Sequence, residues 1–303
     1  MTEAASAAIG SGASRRGIRR LSHVGRAQST RPLSGQGEAV VQWFYETPIW
    51  ITLPLFVGGF VVVSCLIVLA LRPLVHKLVT DHKEWDRALA HVIGTFGVFF
   101  GILLALVALS VYENFAYARD TAVEEAGRVG TLYRATSLLD APDGVPLRTE
   151  LDRYMHAVIE QDWPEQRRGV LPEASDEQVD EFEELLARVE AQPGHEQAAL
   201  QQVLTTFDTF IESRRARIDA TALELPFLLW LVIWVGAAVN VVLLAFLDVR
   251  NPRLHLLMVG LLSLFIGLVI FVTADMDRPY AGSIAVGPEA FERVLEQVVE
   301  GSG

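Results

Sequence analysis

Apolar residues in this chain gather into four long runs, and between them recur every three or four positions. The runs are Pro48 to Leu71, Ala88 to Val111, Leu225 to Leu247 and Leu254 to Ala274, and none contains Asp, Glu, Lys or Arg. Each is long enough to cross about 30 Å of hydrocarbon at about 1.5 Å per residue. A helix in a soluble core is usually shorter, so the pattern predicts four membrane spans. Aromatic residues stand near their ends, as an interfacial belt requires: Trp43, Phe44, Tyr45 and Trp50 before the first, Trp85 before the second and Tyr112 after it.

The connections alternate in length. Arg72 to Arg87 joins the first two runs, with Pro73 expected to end the helix, and Asp248 to Arg253 joins the last two through an Asn251-Pro252 turn. Two tight hairpins are therefore expected, separated by an insert over 113–222. In that insert a helix is expected to continue out of span two to about Leu139. Its seam is Phe115, Ala118, Ala122, Val129, Leu132, Thr136 and Leu139, with the charged gap Glu125, and the steps alternate between three and four. Asp140 to Pro146 reads as a break. A second helix is expected over about Leu147 to Gln161, then a loop bracketed by Trp163-Pro164 and Leu171-Pro172. A third runs from the cap Ser175 to about Ala191, and Pro193-Gly194 breaks the chain again. The fourth runs from His195 straight into span three, with the seam Leu200, Leu204, Phe207, Ile211, Ile218 and Leu225 and the charged gap Arg214.

The two gaps lie at similar heights above the membrane. Glu125 is about 13 residues past span two and Arg214 about 11 before span three. If the two stalk helices run side by side, Glu125 and Arg214 can meet as a register-setting ion pair; the plainer reading is two charges that reach water separately.

Past span four, Asp275, Asp277, Arg278, Pro279 and Gly282 form a turn. It is either an ion-binding mouth or a turn whose Asp side chains cap backbone donors, beside the plainer reading of an interfacial charge cluster. A final amphipathic helix follows Pro288, with Phe291, Val294, Leu295 and Val298 on its apolar face.

The fold expected is thus an all-α membrane protein: four transmembrane helices in two hairpins with a four-helix water-facing insert between spans two and three. The chain divides into an Arg-rich tail (1–42), hairpin one (43–112), the helical insert (113–222), hairpin two (223–275) and a C-terminal turn with its amphipathic helix (276–303).

Charge and composition narrow the classes. The 303 residues carry a formal net charge of -12, which is not the basic stripe of a nucleic-acid binder. The single cysteine, Cys65, forms no internal disulfide, and no metal-ligand spacing is present. The tail, with Arg15, Arg16, Arg19, Arg20, Arg26 and Arg31, fits a disordered cytosolic segment, an organellar transit peptide or an anchor for anionic lipid. The positive-inside rule is divided. Arg72, Lys77, Lys83, Arg87, Arg250 and Arg253 favour the short loops inside, whereas a tail without a signal favours tail, insert and C-terminus in the cytosol of a multi-pass cell-membrane protein, which is the orientation expected here.

No catalytic motif appears, so an enzyme is not expected, nor any cofactor or metal. Span two carries the most telling pattern. Gly94, Gly97 and Gly101 alternate with Phe96, Phe99 and Phe100. Small residues at this spacing serve close helix packing; alternatively, the helix lines a pore and the Phe rings gate it by dewetting. Asn240 in span three is the polar residue at mid-membrane depth, suited to an interhelical bond or to a pore lining. Pumps generally use intramembrane carboxylates, and the runs hold none, so a passive pore fits better.

Several stretches resemble the bacterial bestrophin-like domain family. They are Tyr112-Glu-Asn-Phe-Ala-Tyr-Ala118, Glu124-Glu-Ala126, Leu132-Tyr-Arg134, Ser213-Arg-Arg-Ala-Arg217, Glu224-Leu-Pro226 with Trp230, and above all Asp277-Arg-Pro-Tyr-Ala-Gly282. The resemblance runs from about Ile49 to Leu295. It implies kinship with bestrophins, which are pentameric ion channels with span two lining the pore and a cytosolic segment between spans two and three. A homo-oligomer in the bilayer, passing an inorganic ion and tilted towards anions, is what the resemblance implies. The acidic run of the bestrophin calcium clasp has no counterpart here, which speaks against calcium gating. Rival readings are a scaffold or signal relay without transport, and a force-transducing unit whose partner supplies a carboxylate.

Overall fold

The computed structural model describes residues 47–78, 82–192, 194–247 and 251–301. The Arg-rich tail, Trp43, Phe44 and Tyr45, Pro193, Asp248 to Arg250, and the side chains of Lys77 and Lys83 lie outside the described residues. The elements are α1 (Ile49–Leu78), α2 (His82–Thr136), α3 (Ala141–Ala157), a π-helical turn (Val158–Asp162), α4 (Trp163–Arg167), α5 (Asp176–Ala187), α6 (His195–Ala220), α7 (Phe227–Ala245), α8 (Pro252–Met276) and α9 (Glu289–Gly301). Among the described residues every regular element is helical.

Helices α1, α7, α8 and the first half of α2 are long and apolar enough to cross a membrane. Helix α2 has 55 residues, about 80 Å of continuous helix, so it crosses the bilayer and stands well clear of it. Pro73 does not end α1 as expected. The helix runs through it to Leu78, forgoing the one hydrogen bond that proline cannot donate.

The first two spans are not a packed hairpin. Span α1 lies against α8 and α7, span α2 lies against α7 and α8, and among the described residues α1 and α2 do not pack along each other. Small residues on the second pair explain the choice. Phe60 of α1 sits on Gly267, where a Cβ would come within 3.1 Å of the ring, and Phe100 of α2 fills the space a Cβ at Gly236 would need. Close approach through small residues is the usual way helices associate where lipid is as apolar as the side chains. The outward faces stay apolar, with Leu66, Leu106, Phe227, Leu261 and Phe265 all exposed in the single chain.

In the insert, α2 leaves the membrane and α6 returns beside it. The seam expected on α2 is the buried one: Ala118, Ala122, Glu125, Val129, Leu132, Thr136 and Leu139 are all inside. The seam on α6 is displaced by one residue. The buried positions are Ala199, Val203, Thr206, Phe210, Ser213, Arg217 and Ala220; of the expected row Phe207 is buried as well, whereas Leu204 is exposed and Leu200 and Ile211 only flank the core. A small residue at every seventh position of this row lets the two helices approach closely, which the larger residues of the expected seam would prevent.

Other departures have local causes. Helix α3 starts at Ala141 rather than Leu147: Pro142 falls in its first turn, where a missing N–H costs little, and the helix runs through Pro146 without the hydrogen bond that proline cannot donate. The expected loop at Trp163-Pro164 is helical. The wider turn at Val158–Asp162 makes room for the Pro164 ring, and the chain enters α4. Helix α5 stops at Ala187, and the Ser175 hydroxyl does not cap it. Helix α6 does not run into span three. It stops at Ala220, and 221–226 form a break before Phe227. Helix α9 packs its Phe291, Val294, Leu295 and Val298 face onto the insert's core.

Candidate functional site

On α2, successive residues are about 100° apart, so Phe96, Phe99 and Phe100 do not share one face. Phe96 and Phe100, one turn apart, stack with ring centroids 5.7 Å apart, and Phe100 is buried against α7 at Gly236. Phe99 points the other way and is 69% exposed. A Cβ built at Gly94, Gly97 or Gly101 meets nothing within 4 Å, so these glycines mediate no helix packing inside the chain. On the Phe99 side of the helix, away from these glycines, an open hollow is lined by His91, Val92, Thr95, Phe96 and Phe99. Asn240 is buried within the subunit, on the α7 face that carries Ala237 and Val241.

The second constellation lies in the insert. Glu125 does not meet Arg214. Its carboxylate accepts from Nε of Arg217, 2.5 Å away, and from the Tyr154 hydroxyl. Arg217 also donates to Gln166 (Nη1 to Oε1, 2.6 Å) and Asp162 (Nη2 to Oδ2, 3.1 Å). Its guanidinium also lies over the rings of Trp163 and Phe291, at 5.5 and 5.8 Å. Glu125, Asp162 and Arg217 are fully buried. Asp162 further accepts from the Ser175 N–H and hydroxyl at 3.1 and 2.7 Å. Arg214 donates to that Ser175 oxygen at 2.9 Å and to Asp176 at 2.5 Å, at the edge of the cluster.

Charges at this depth are costly unless each finds opposite charge and hydrogen bonds. Here one guanidinium faces two carboxylates, and Arg214 adds a second cation through Ser175. Burial works against the charge on Arg217, but Glu125, Tyr154 and Asp162 outweigh it and hold the guanidinium well above its ordinary value. Burial, then the Glu125 charge, pushes the Tyr154 phenol well up, so it stays a donor. The chemistry of the cluster is therefore joining rather than proton transfer: Arg217 ties α2, the π-helical turn, α4, α6 and α9 to one group.

Sequence reading had Glu125 at the seam but missed Arg217, Asp162, Gln166 and Ser175. The signal for Arg217 was the row of small residues Ala199, Thr206, Ser213 and Ala220, which sets the register in which Arg217, not Arg214, faces Glu125.

The turn after span four completes the base of the insert. Asp277 accepts from the Leu225 N–H at 2.7 Å and from Trp230 Nε1 at 3.0 Å, so it closes the break ahead of span three. Burial raises its pKa in spite of those donors. Asp275 accepts from the N–H groups of Ser283 and Ile284 at 3.2 and 3.3 Å. Arg278 lies 3.7 Å from Glu224, the Pro279 carbonyl accepts from Val286, and Gly282 takes φ 90°, which favours glycine. Tyr280 of this turn is buried between α2 and α6, edge-on to Trp163. Among the described residues no group of three His, Cys, Asp or Glu side chains is placed to hold a metal ion.

Residues 58–291 match the model of the bestrophin-like domain, and the chain belongs to that family. No curated protein and no solved structure matches it.

Proposed function

We propose that this protein is a homo-oligomeric passive ion channel of the bestrophin-like family, with the open face of span two lining the conduction path. The observation that supports this reading is that α2 is open on two sides within its own chain: Phe99 is 69% exposed, and on the roughly opposite row a Cβ at Gly94, Gly97 or Gly101 would meet nothing within 4 Å, whereas Phe100 packs on Gly236. Charge-free spans fit passive flow rather than ion-coupled pumping. In a ring of subunits, pentameric by family analogy, Phe99 would form an apolar constriction that gates by dewetting. Phe96 and Phe100 back it from inside the subunit, and Asn240 serves an interhelical contact. The tail, the insert and the C-terminus stand on the cytosolic side of the cell membrane. The ion is inorganic, and the family tilts its sign towards anions.

Ion flux through purified protein in liposomes tests this. Wild type is compared with Phe99→Ala, Phe96→Ala and Phe100→Ala. Flux that rises most for Phe99→Ala supports a gate on the open face, and ion substitution gives the selectivity. A second reading, a signal relay, draws on the path from Arg217 through Gln166 to Thr221, which joins the buried cluster to the break ahead of span three. Absence of flux from intact wild-type and Phe99→Ala oligomers would favour the relay.

A further inference from the structure

The segment from Asp162 to Ser175 leaves the buried cluster and comes back to it, and its hydrogen bonds record the path. Asp162 is at the level of Arg217. One turn on, Gln166 bonds both Arg217 and Thr221, which is nearer the start of span three. Three residues further, a Cβ built at Gly169 would lie 3.9 Å from Nη1 of Arg278, two residues beyond the end of span four. Arg278 is in turn beside Glu224, just ahead of span three. Ser175 then returns to Asp162 and Arg214. The chain thus descends from the cluster to the level where two spans enter the bilayer, reverses at Gly169 with φ 72°, and climbs again.

The tip of this descent is Arg167-Arg168-Gly169-Val170-Leu171. Val170 and Leu171 are 52% and 51% exposed, and both arginines are exposed beside them. Exposed aliphatic side chains flanked by arginines at the height of the span ends match the interfacial layer of a membrane. There the apolar groups reach the acyl boundary and guanidinium groups meet lipid phosphates.

We propose that residues 167–171 form an interfacial anchor, in which Val170 and Leu171 dip into the insert-facing leaflet of the same bilayer and Arg167 and Arg168 engage anionic headgroups. The anchor fixes α4, and through Gln166 the Arg217 cluster, to the membrane surface. This inference rests on the four spans and is independent of ion conduction.

The test places a bimane label at Leu171→Cys in a Cys65→Ser background. The protein is reconstituted in phosphatidylcholine vesicles containing phosphatidylglycerol, with the insert outward. Val145→Cys is the control, because Val145 is 48% exposed in the first turns of α3, beyond the far end of α2 from the membrane. A label in the headgroup layer is expected to be quenched about three-fold less by aqueous iodide than the control, and to be quenched by lipids spin-labelled near the headgroup. Equal iodide quenching at both positions overturns the anchor. Protection from iodide without quenching by the labelled lipid also overturns it, since a neighbouring protein then covers the loop.

Discussion

The water-facing insert and the membrane spans handle polarity in opposite ways. In the insert, three fully buried charged side chains, Glu125, Asp162 and Arg217, find their partners within the same chain. The four apolar runs hold no charge to bury, yet the glycine face of α2 meets nothing in its own chain. The insert is complete in one copy, and the span bundle is not. A second molecule, whether lipid or another subunit, therefore matters to the spans and not to the insert's core.

Arg217→Met tests the complete half most severely. It strands two buried carboxylates, and breaking one side of a buried pair costs about 3–5 kcal/mol. Arg217→Lys is expected to rescue little, because one ammonium cannot reproduce the fork that serves Glu125, Asp162 and Gln166. Thermal unfolding in detergent reads the loss; an unchanged Tm would show that the cluster does not close the insert.

The incomplete half is tested by two glycines. Gly236→Ala drives a Cβ into the Phe100 ring and is expected to cost about 1–3 kcal/mol as overpacking. Gly97→Ala has no neighbour in the chain to disturb, so the Tm of the detergent-dispersed monomer should hold. Light scattering of the reconstituted assembly then shows whether that face carries subunit contact. An equal Tm loss for both variants would erase the difference between the inner and outer faces of α2.

Tyr154 gives a smaller, pH-dependent effect. Its phenol titrates higher in the folded insert than in the unfolded chain, because of burial and the neighbouring Glu125 carboxylate. A raised folded pKa means stability is fully present below the unfolded value, about 10, and is lost as pH rises from there towards the folded value. The slope is at most about 1.4 kcal/mol per pH unit. Tyr154→Phe should flatten that part of the Tm profile above about pH 10, and an unaltered slope would show that Tyr154 does not cause it.

Much of the fold is legible in sequence because membrane spans depend on length and the absence of charge, both of which are local. The seam on α2 is legible too, since Val129 and Leu132 are both large and buried. What sequence hides is pairing. Nothing local says that Phe60 and Phe100 choose Gly267 and Gly236, so the first two spans read as a hairpin although each packs on the other pair. The π-helical turn that carries Asp162 inward is equally hidden, because its cause is the fit of Pro164 against the preceding turn.

The buried row on α6 lies one residue from the row its large apolar residues predict, and Arg214 is the position where that difference can be measured. Leu200, Leu204 and Ile211 draw the eye to a row that would aim Arg214 at Glu125. In the structure Arg214 is at the rim, paired with Asp176, which is 56% exposed, and its Nε is buried without a partner. Removing Arg214 costs this pair and its hydrogen bond to Ser175, about 1–2 kcal/mol together, and losing the unpaired Nε offsets part of that. Arg214→Ala should therefore be mild where Arg217→Met is severe. Equal losses would mean that both guanidinium groups bear on Glu125, and that the row of large residues, rather than Ala199, Thr206, Ser213 and Ala220, sets how α6 lies against α2.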